Sequence, residues 1–117
     1  MAVKKSLLNV TVNSPDALRL ARWWADALDG EILAENEGWF VIVSLGEGRP
    51  GLAFQKVESV SSGSRLHLDF GVDDMNAAVE GLVAAGATLI AERSMPGVTW
   101  TTLADPDGNE FCVAEHG

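Results

Sequence analysis

Cysteine, basic residues and long apolar runs are all scarce in this chain of 117 residues. The single cysteine, Cys112, excludes an internal disulfide and is typical of a protein from a reducing compartment. The apolar run at Leu7–Val12 is interrupted by polar residues and is too short for a secretory segment. A membrane span needs about 20 apolar residues, which no part of the sequence offers. We therefore expect a cytoplasmic protein that has no membrane partner.

The small number of basic residues also limits the partners. Eight Lys and Arg residues stand against 17 Asp and Glu residues, which leaves a net charge of −9 at pH 7. A surface of this sign repels phosphate backbones, so we expect no nucleic-acid partner. Apolar residues make up 47% of the chain, enough for a packed core, and the length suits a single domain over residues 1–117.

The hydrophobic pattern predicts an α+β fold in which the same order of elements occurs twice. Turn residues separate the elements, and a serine-rich link at Ser59–Ser64 separates two halves at about residues 5–58 and 64–116. The first half has a predicted strand at Leu7–Asn13, a helix at Ala17–Leu28, and strands at Glu31–Glu35, Trp39–Leu45 and Leu52–Val57. The second half has a strand at Arg65–Val72, a helix at Met75–Ala85, and strands at Thr88–Glu92, Val98–Leu103 and Glu110–Glu115.

Local signals predict where the helices begin and end. Ser14 is the expected N-cap of the first helix, with Pro15 at its first position, and Gly30 is the expected C-cap. The pair Asp73-Asp74 is expected to cap the second helix.

Several segments together resemble a known family. They are the helix segment Leu20–Gly30, the histidine-bearing strand Leu66–Phe70, the Val72-Asp73-Asp74 helix start and the turn segment Asp105–Phe111. With the repeated order of elements, they resemble the glyoxalase/bleomycin-resistance/dioxygenase superfamily, also called vicinal oxygen chelate proteins, and within it the short glyoxalase-like proteins. The resemblance covers nearly the whole chain. It implies two tandem βαβββ modules that form an incomplete barrel around a concave cavity, and it implies a homodimer.

The resemblance also implies where a metal would bind. In metal-dependent members one divalent ion is held by the first and last strands of each module, usually by histidines and glutamates. The matching positions here are Asn9, Gln55, His67 and Cys112, of which only His67 keeps a standard ligand type. Amide oxygens are weak donors and a thiolate suits softer metals. We therefore expect no cofactor, and keep a divalent metal held by these four residues as the alternative.

Side-chain alternation gives each strand one apolar face and one polar face. Arg65, His67 and Asp69 share the polar face of one strand, with neighbours about 6.5–7 Å apart, so Asp69 is placed to orient His67. His67 is accordingly the candidate for proton transfer. A buried structural thiol explains Cys112 as well as a nucleophile does, and ordinary sheet core explains the tryptophans as well as a cavity wall does. The candidate ligand-contacting residues are Asn9, Thr11, Trp39, Gln55, Arg65, His67, Asp69, Trp100 and Cys112.

Three classes of function remain for such a chain. It is a binding protein for a small organic molecule, a metal-dependent lyase, isomerase or dioxygenase with an atypical site at His67, or an accessory domain for protein association. The loss of three standard ligands favours the first class over the second. The polar inner face favours the first over the third. We therefore predict a bleomycin-resistance-like binding protein with a degenerate metal site, whose chemistry, if it has any, depends on His67.

Overall fold

The computed structural model describes residues 4–59 and 65–115, which form a mixed α+β fold. Residues 60–64 of the expected serine-rich link, and residue 116 of the expected second half, lie outside the described residues. Within the described residues, neither helix has the length and apolar character that crossing a bilayer requires. The elements are β1 (Lys5–Ser14), α1 (Ala17–Leu28), β2 (Glu31–Ala34), β3 (Phe40–Ser44), β4 (Gly51–Lys56), β5 (Leu66–Val72), α2 (Met75–Ala84), β6 (Thr88–Met95), β7 (Val98–Ala104) and β8 (Glu110–Glu115).

Residues Asn9–His67 form one compact unit. Its strands lie in the order β2-β3-β4-β1, with β1 parallel to β4 and the other neighbours antiparallel. The small residues of α1 recur every fourth position, which places them on one side of the helix and lets it pack closely on the sheet. They contact a core that includes Val41, Val43 and Phe54. Val12 packs on the same core, so Asn9, Thr11 and Asn13 of β1 lie on the opposite face.

The other compact unit includes residues 4–8 and 68–115. Its strands lie in the order β5-β8-β7-β6, with β5 parallel to β8, and β5 contributes its residues from Leu68 onward. The helix α2 covers one face of these strands, where Val72, Leu103 and Val113 pack against Met75. The hydroxyl of Thr101 donates to the sulfur of Met75 across 3.5 Å, which places Thr101 on the same face. The neighbouring residues of β7 therefore lie on the face opposite α2.

The beginning of α1 differs from the prediction. Asp16, and not Ser14, is the N-cap, because its carboxylate accepts the backbone N–H of Arg19 at 3.2 Å. Ser14 is still aligned with Lys56 of β4 as the last residue of β1, and its hydroxyl accepts the N–H of Asp16 at 3.1 Å. The helix therefore begins at Ala17, after Pro15 rather than at it. The predicted cap at Asp74 is confirmed, since its carboxylate accepts the N–H of Ala77 at 3.0 Å.

The end of α1 also differs. Asp29 adopts the left-handed conformation (φ 54°) that was expected of Gly30, and its N–H bonds the carbonyl of Ala25. Gly30 has another role. A Cβ atom there would lie 2.9 Å from the carbonyl oxygen of Ser44 and from Cγ1 of Val43. Gly30 is thus required by the close approach of β3, and not by the helix cap.

The strand β6 is three residues longer than predicted. It continues past Glu92 to Met95 and turns at Gly97 (φ 86°) into β7. The added pairs include Arg93 with Trp100. This extension brings Arg93 into the sheet.

Candidate functional site

A row of polar side chains crosses β5, β8 and β7 on the face opposite α2. Asp69 of β5 is aligned with Cys112 of β8, and Cys112 is aligned with Thr102 of β7. Residues directly opposite each other on neighbouring strands share a face, so the three side chains are neighbours. The sulfur of Cys112 and the hydroxyl of Thr102 form a hydrogen bond at 3.4 Å.

His67 belongs to the same group. It lies two residues before Asp69 on β5. The metal-binding atoms of His67, Asp69 and Cys112 all lie within 4.8 Å of one another. All three residues are half-buried. Sequence alternation therefore placed His67 and Asp69 correctly on one side of their strand. Arg65 lies just before β5 and is exposed, and its carbonyl oxygen accepts the N–H of Asn13 at 2.8 Å.

The Cys112 thiol is in an environment that favours its neutral form. Burial raises the pKa of this thiol above its ordinary value, and the negative charges of Asp69 and Glu110 act in the same direction. The hydrogen bond with Thr102 and the positive charge of Arg93 oppose the shift without reversing it. At neutral pH Cys112 is therefore a thiol that donates or accepts a hydrogen bond, and not a preformed nucleophile.

The candidate residues of β1 and β4 are arranged differently. Asn9 is aligned with Gly51, whose missing side chain leaves room for it, because a Cβ there would lie 3.0 Å from the Asn9 side-chain oxygen. Thr11 is fully buried. Gln55 is aligned with Asn13, four residues further along β1, which corresponds to about 13 Å along the strand. The strands therefore do not place Gln55 beside Asn9, whereas they do place Cys112 close to His67.

The two candidate tryptophans have different surroundings. Trp39 lies just before β3, is 60% exposed, and has the amine of Lys56 at 4.9 Å from its ring centroid. Trp39 has helical backbone angles (φ −82°, ψ −36°) at the end of a short turn, so the alternation of β3 does not extend to it. Trp100 is half-buried and is aligned with Ala114 of β8, two residues beyond Cys112. Trp100 therefore lies on the polar face.

Two further residues of this face were not among the candidates. Thr102 shares the alternation of Trp100, so the position of Trp100 was a signal that could have found it. Arg93 is aligned with Trp100, but the sequence predicted that β6 ends at Glu92. The run Arg-Ser-Met-Pro-Gly that follows is typical of a turn, and no local signal shows that the hairpin extends through it.

The comparison with protein families decides the classification. The sequence model of the glyoxalase-like domain matches residues 9–114. The chain belongs to the glyoxalase-like domain family. No curated protein matches this glyoxalase-like chain by sequence.

Solved structures of the superfamily share the fold. A glyoxalase/bleomycin resistance protein/dioxygenase superfamily member from Vibrio splendidus 12B01 is 16% identical, with a TM-score of 0.66 over 98% of this chain and 100% of that one. Methylmalonyl-CoA epimerase from Mycobacterium tuberculosis is 15% identical, with a TM-score of 0.71 over 95% and 87%. A Streptomyces coelicolor methylmalonyl-CoA epimerase variant in complex with 2-nitronate-propionyl-CoA is 14% identical, with a TM-score of 0.74 over 99% of both chains. Identities this low show the common fold alone.

Metal-dependent members of the superfamily imply a divalent metal. Some of the candidate side chains of this chain are suitable ligands for such an ion. Histidine, aspartate and cysteine are all ligands that zinc uses, at about 2.0–2.3 Å from the ion. A separation of up to 4.8 Å among His67, Asp69 and Cys112 is short enough for the three to converge on one ion after small side-chain movements. Asn9 and Gln55 lie about 13 Å apart along the strands, so these two amides do not converge on one point. Among the described residues, the side chains that fit an ion together are therefore His67, Asp69 and Cys112.

Proposed function

We propose that this glyoxalase-like protein binds a small organic molecule on the polar face of β5, β8 and β7. The observation that carries the proposal is the gathering of His67, Asp69 and Cys112, whose polar atoms lie within 4.8 Å of one another opposite the helix-packed core. A few convergent polar groups beside an apolar ring such as Trp100 are the lining that is typical of small-molecule sites.

Each residue has a distinct role in the proposed site. Asp69 accepts hydrogen bonds from the ligand, Cys112 interacts as a neutral thiol, and Thr102 orients that thiol through their hydrogen bond. The imidazole of His67 both donates and accepts, so any proton transfer to or from the ligand goes through His67. Trp100 adds a flat apolar wall beside these polar groups.

The single cysteine makes occupancy of this site measurable. Cys112 is the only thiol of the chain, so its rate of alkylation by iodoacetamide reports directly on access to the polar face. We expect members of a chemically diverse library of small organic molecules to raise the melting temperature and to slow this alkylation at least tenfold. His67→Ala and Asp69→Asn should weaken both effects together, because each removes a hydrogen-bonding partner worth about 1–3 kcal/mol.

Glu80→Gln is the matched control. Glu80 is an exposed residue of α2, on the other side of the sheet, so the control should keep both effects at the wild-type level. The proposal fails if compounds that raise the melting temperature leave the alkylation of Cys112 unchanged. It also fails if no compound has either effect.

A metal-dependent lyase, isomerase or dioxygenase is the second candidate, and the same short distances favour it. His67, Asp69 and Cys112 would hold the ion, with the thiol losing its proton as the metal binds. A bound divalent ion would supply Lewis-acid chemistry for a carbonyl substrate. The raised pKa of Cys112 means that metal binding must compete with a proton, so uptake should increase with pH.

Metal content separates the two candidates. The protein is incubated with zinc, nickel, manganese or iron(II), desalted, and analysed for bound metal. The metal-dependent function requires about one equivalent of one ion in the wild type and a large loss in His67→Ala, Asp69→Asn and Cys112→Ser. Equal metal content in the wild type and all three variants would exclude this site as the metal centre.

A further inference from the structure

A cation and a flat ring lie side by side at the β6 end of the polar face. Arg93 of β6 is aligned with Trp100 of β7, and Trp100 with Ala114 of β8. Directly opposed residues share a face, so Arg93 lies on the side of the sheet that carries Cys112 and Thr102. Ala114 has only a methyl side chain. The residue aligned with Trp100 on β8 therefore does not cover the indole ring.

The charge of Arg93 is felt within the site. Arg93 and Cys112 are on strands two apart, about 10 Å at the backbone, a span that a long arginine side chain covers in large part. The positive charge acts on the Cys112 thiol and partly offsets the increase in its pKa that burial causes. Among the described residues, none forms an ion pair with Arg93. The guanidinium is thus available to a ligand.

The negative charges of the face are at its other end. Asp69 lies on β5 and Glu110 on β8, and both act on Cys112 with a sign opposite to that of Arg93. A bound anion is repelled from the β5–β8 end and attracted to the β6–β7 end. The charge distribution therefore orients a bound anion, with its charge toward Arg93.

We infer that the ligand of this site is a planar organic acid, whose carboxylate pairs with Arg93 and whose ring stacks on Trp100. The inference rests on the proposed function and adds the substrate class to it. A guanidinium binds a carboxylate through two parallel hydrogen bonds, which makes arginine the side chain best suited to this group. An indole face offers a planar ligand a large apolar contact at little entropic cost. A hydrogen-bond donor on the far side of the ligand would lie toward Asp69.

Acid and amide forms of one ring test the inference. The probes are 2-naphthoate and 2-naphthamide, which share a shape and differ in charge, and the readout is protection of Cys112 from iodoacetamide. In the wild type we expect the acid to bind at least tenfold more tightly than the amide. Arg93→Gln should remove this preference, and Trp100→Leu should weaken both probes to a similar extent.

Arg22→Gln is the matched control, because it removes the same charge from an exposed position of α1. It should keep the tenfold preference, which separates pairing with Arg93 from an effect of net charge. A preference that survives Arg93→Gln would overturn the inference, and so would equal binding of the acid and the amide in the wild type. The second result is the one expected if Arg93 only protects the β6 edge from pairing with another strand.

The two proposals fail in different ways. If 2-naphthoate gives no protection while neutral molecules protect Cys112, the inference is wrong and the proposed function stands. If no molecule of any charge protects Cys112, both are wrong.

Discussion

The carboxylate of Asp105 holds together the turn that joins β7 to β8. One of its oxygens accepts the backbone N–H groups of Asp107 at 3.0 Å and Asn109 at 2.9 Å. The side-chain amide of Asn109 donates to both oxygens, at 3.2 and 3.0 Å. The Asn109 side chain, followed by the backbone donors, keeps the pKa of Asp105 below its ordinary value. The tight turn predicted from this sequence is therefore confirmed, and its stability is linked to one ionised group.

Asp105→Asn should destabilise the protein at neutral pH and have little effect in acid. Because the folded-state pKa is depressed, the carboxylate contributes stability above its unfolded-state value of about 3.9 and loses it as the pH falls through the folded-state value. Urea unfolding of wild type and variant between pH 3 and pH 7 measures the difference in the free energy of unfolding. A difference that is constant over this range would show that the charge of Asp105 has no part in the turn.

The alternation of side chains along a strand predicts the positions of only some of the site residues. His67 and Asp69 could be placed on one face from sequence because they are two residues apart on one strand. The neighbours of Cys112 could not be placed this way, because Thr102 is selected by strand register and Arg93 by the length of a hairpin. Both depend on contacts between residues that are distant in sequence.

Gly51 of β4 lies where two neighbouring strands leave no room for a side chain. A Cβ there would be 2.9 Å from the carbonyl oxygen of Val43 and 3.0 Å from the side-chain oxygen of Asn9. The first atom belongs to the backbone and cannot move without disturbing β3. We expect Gly51→Ala to lower the free energy of unfolding by about 1–3 kcal/mol, as overpacking does elsewhere, and thermal or urea unfolding measures the change.

Gly81→Ala is the control, for which we expect the free energy of unfolding to change in the opposite direction. Gly81 lies inside α2 with nothing within 4 Å of an added Cβ, so alanine should stabilise the helix by about 0.5–1 kcal/mol. If Gly51→Ala proved as stabilising as Gly81→Ala, the close approach of β3 and Asn9 to Gly51 would be contradicted.

The elements themselves were largely predictable. Eight strands and two helices were expected, and α1 has the predicted bounds Ala17–Leu28. Hydrophobic period and turn residues are local properties, and they are strong in this chain. The predictions are wrong at the ends of elements. Asp16, and not Ser14, is the N-cap of α1, and β6 extends beyond Glu92 to Met95. In each case pairing with a neighbouring strand overrode the local signal.

The charge of the whole molecule predicts its solubility. A net charge of −9 at pH 7 and an isoelectric point of about 4.4 keep molecules apart near neutral pH. Large apolar side chains are nevertheless exposed, among them Trp23 and Met95 at 59% and 62%. We therefore expect a solubility minimum near pH 4.4, where repulsion vanishes, measured as turbidity against pH. Association that is strongest at neutral pH would instead indicate a specific interface, such as the homodimer that the resemblance predicts, and sedimentation velocity would distinguish the two.

Sequence alone determined the α+β class, the order of elements, family membership and the polar side of the strand that carries His67, because periodicity and short motifs encode these properties locally. Tertiary structure alone decided which polar residues are neighbours. Strand register brings Cys112 close to His67 and Asp69, separates Gln55 from Asn9 along the strands, and adds Arg93 to the face of Trp100. Register depends on the packing of whole strands against each other and against the helices, and no single segment of the sequence contains that information.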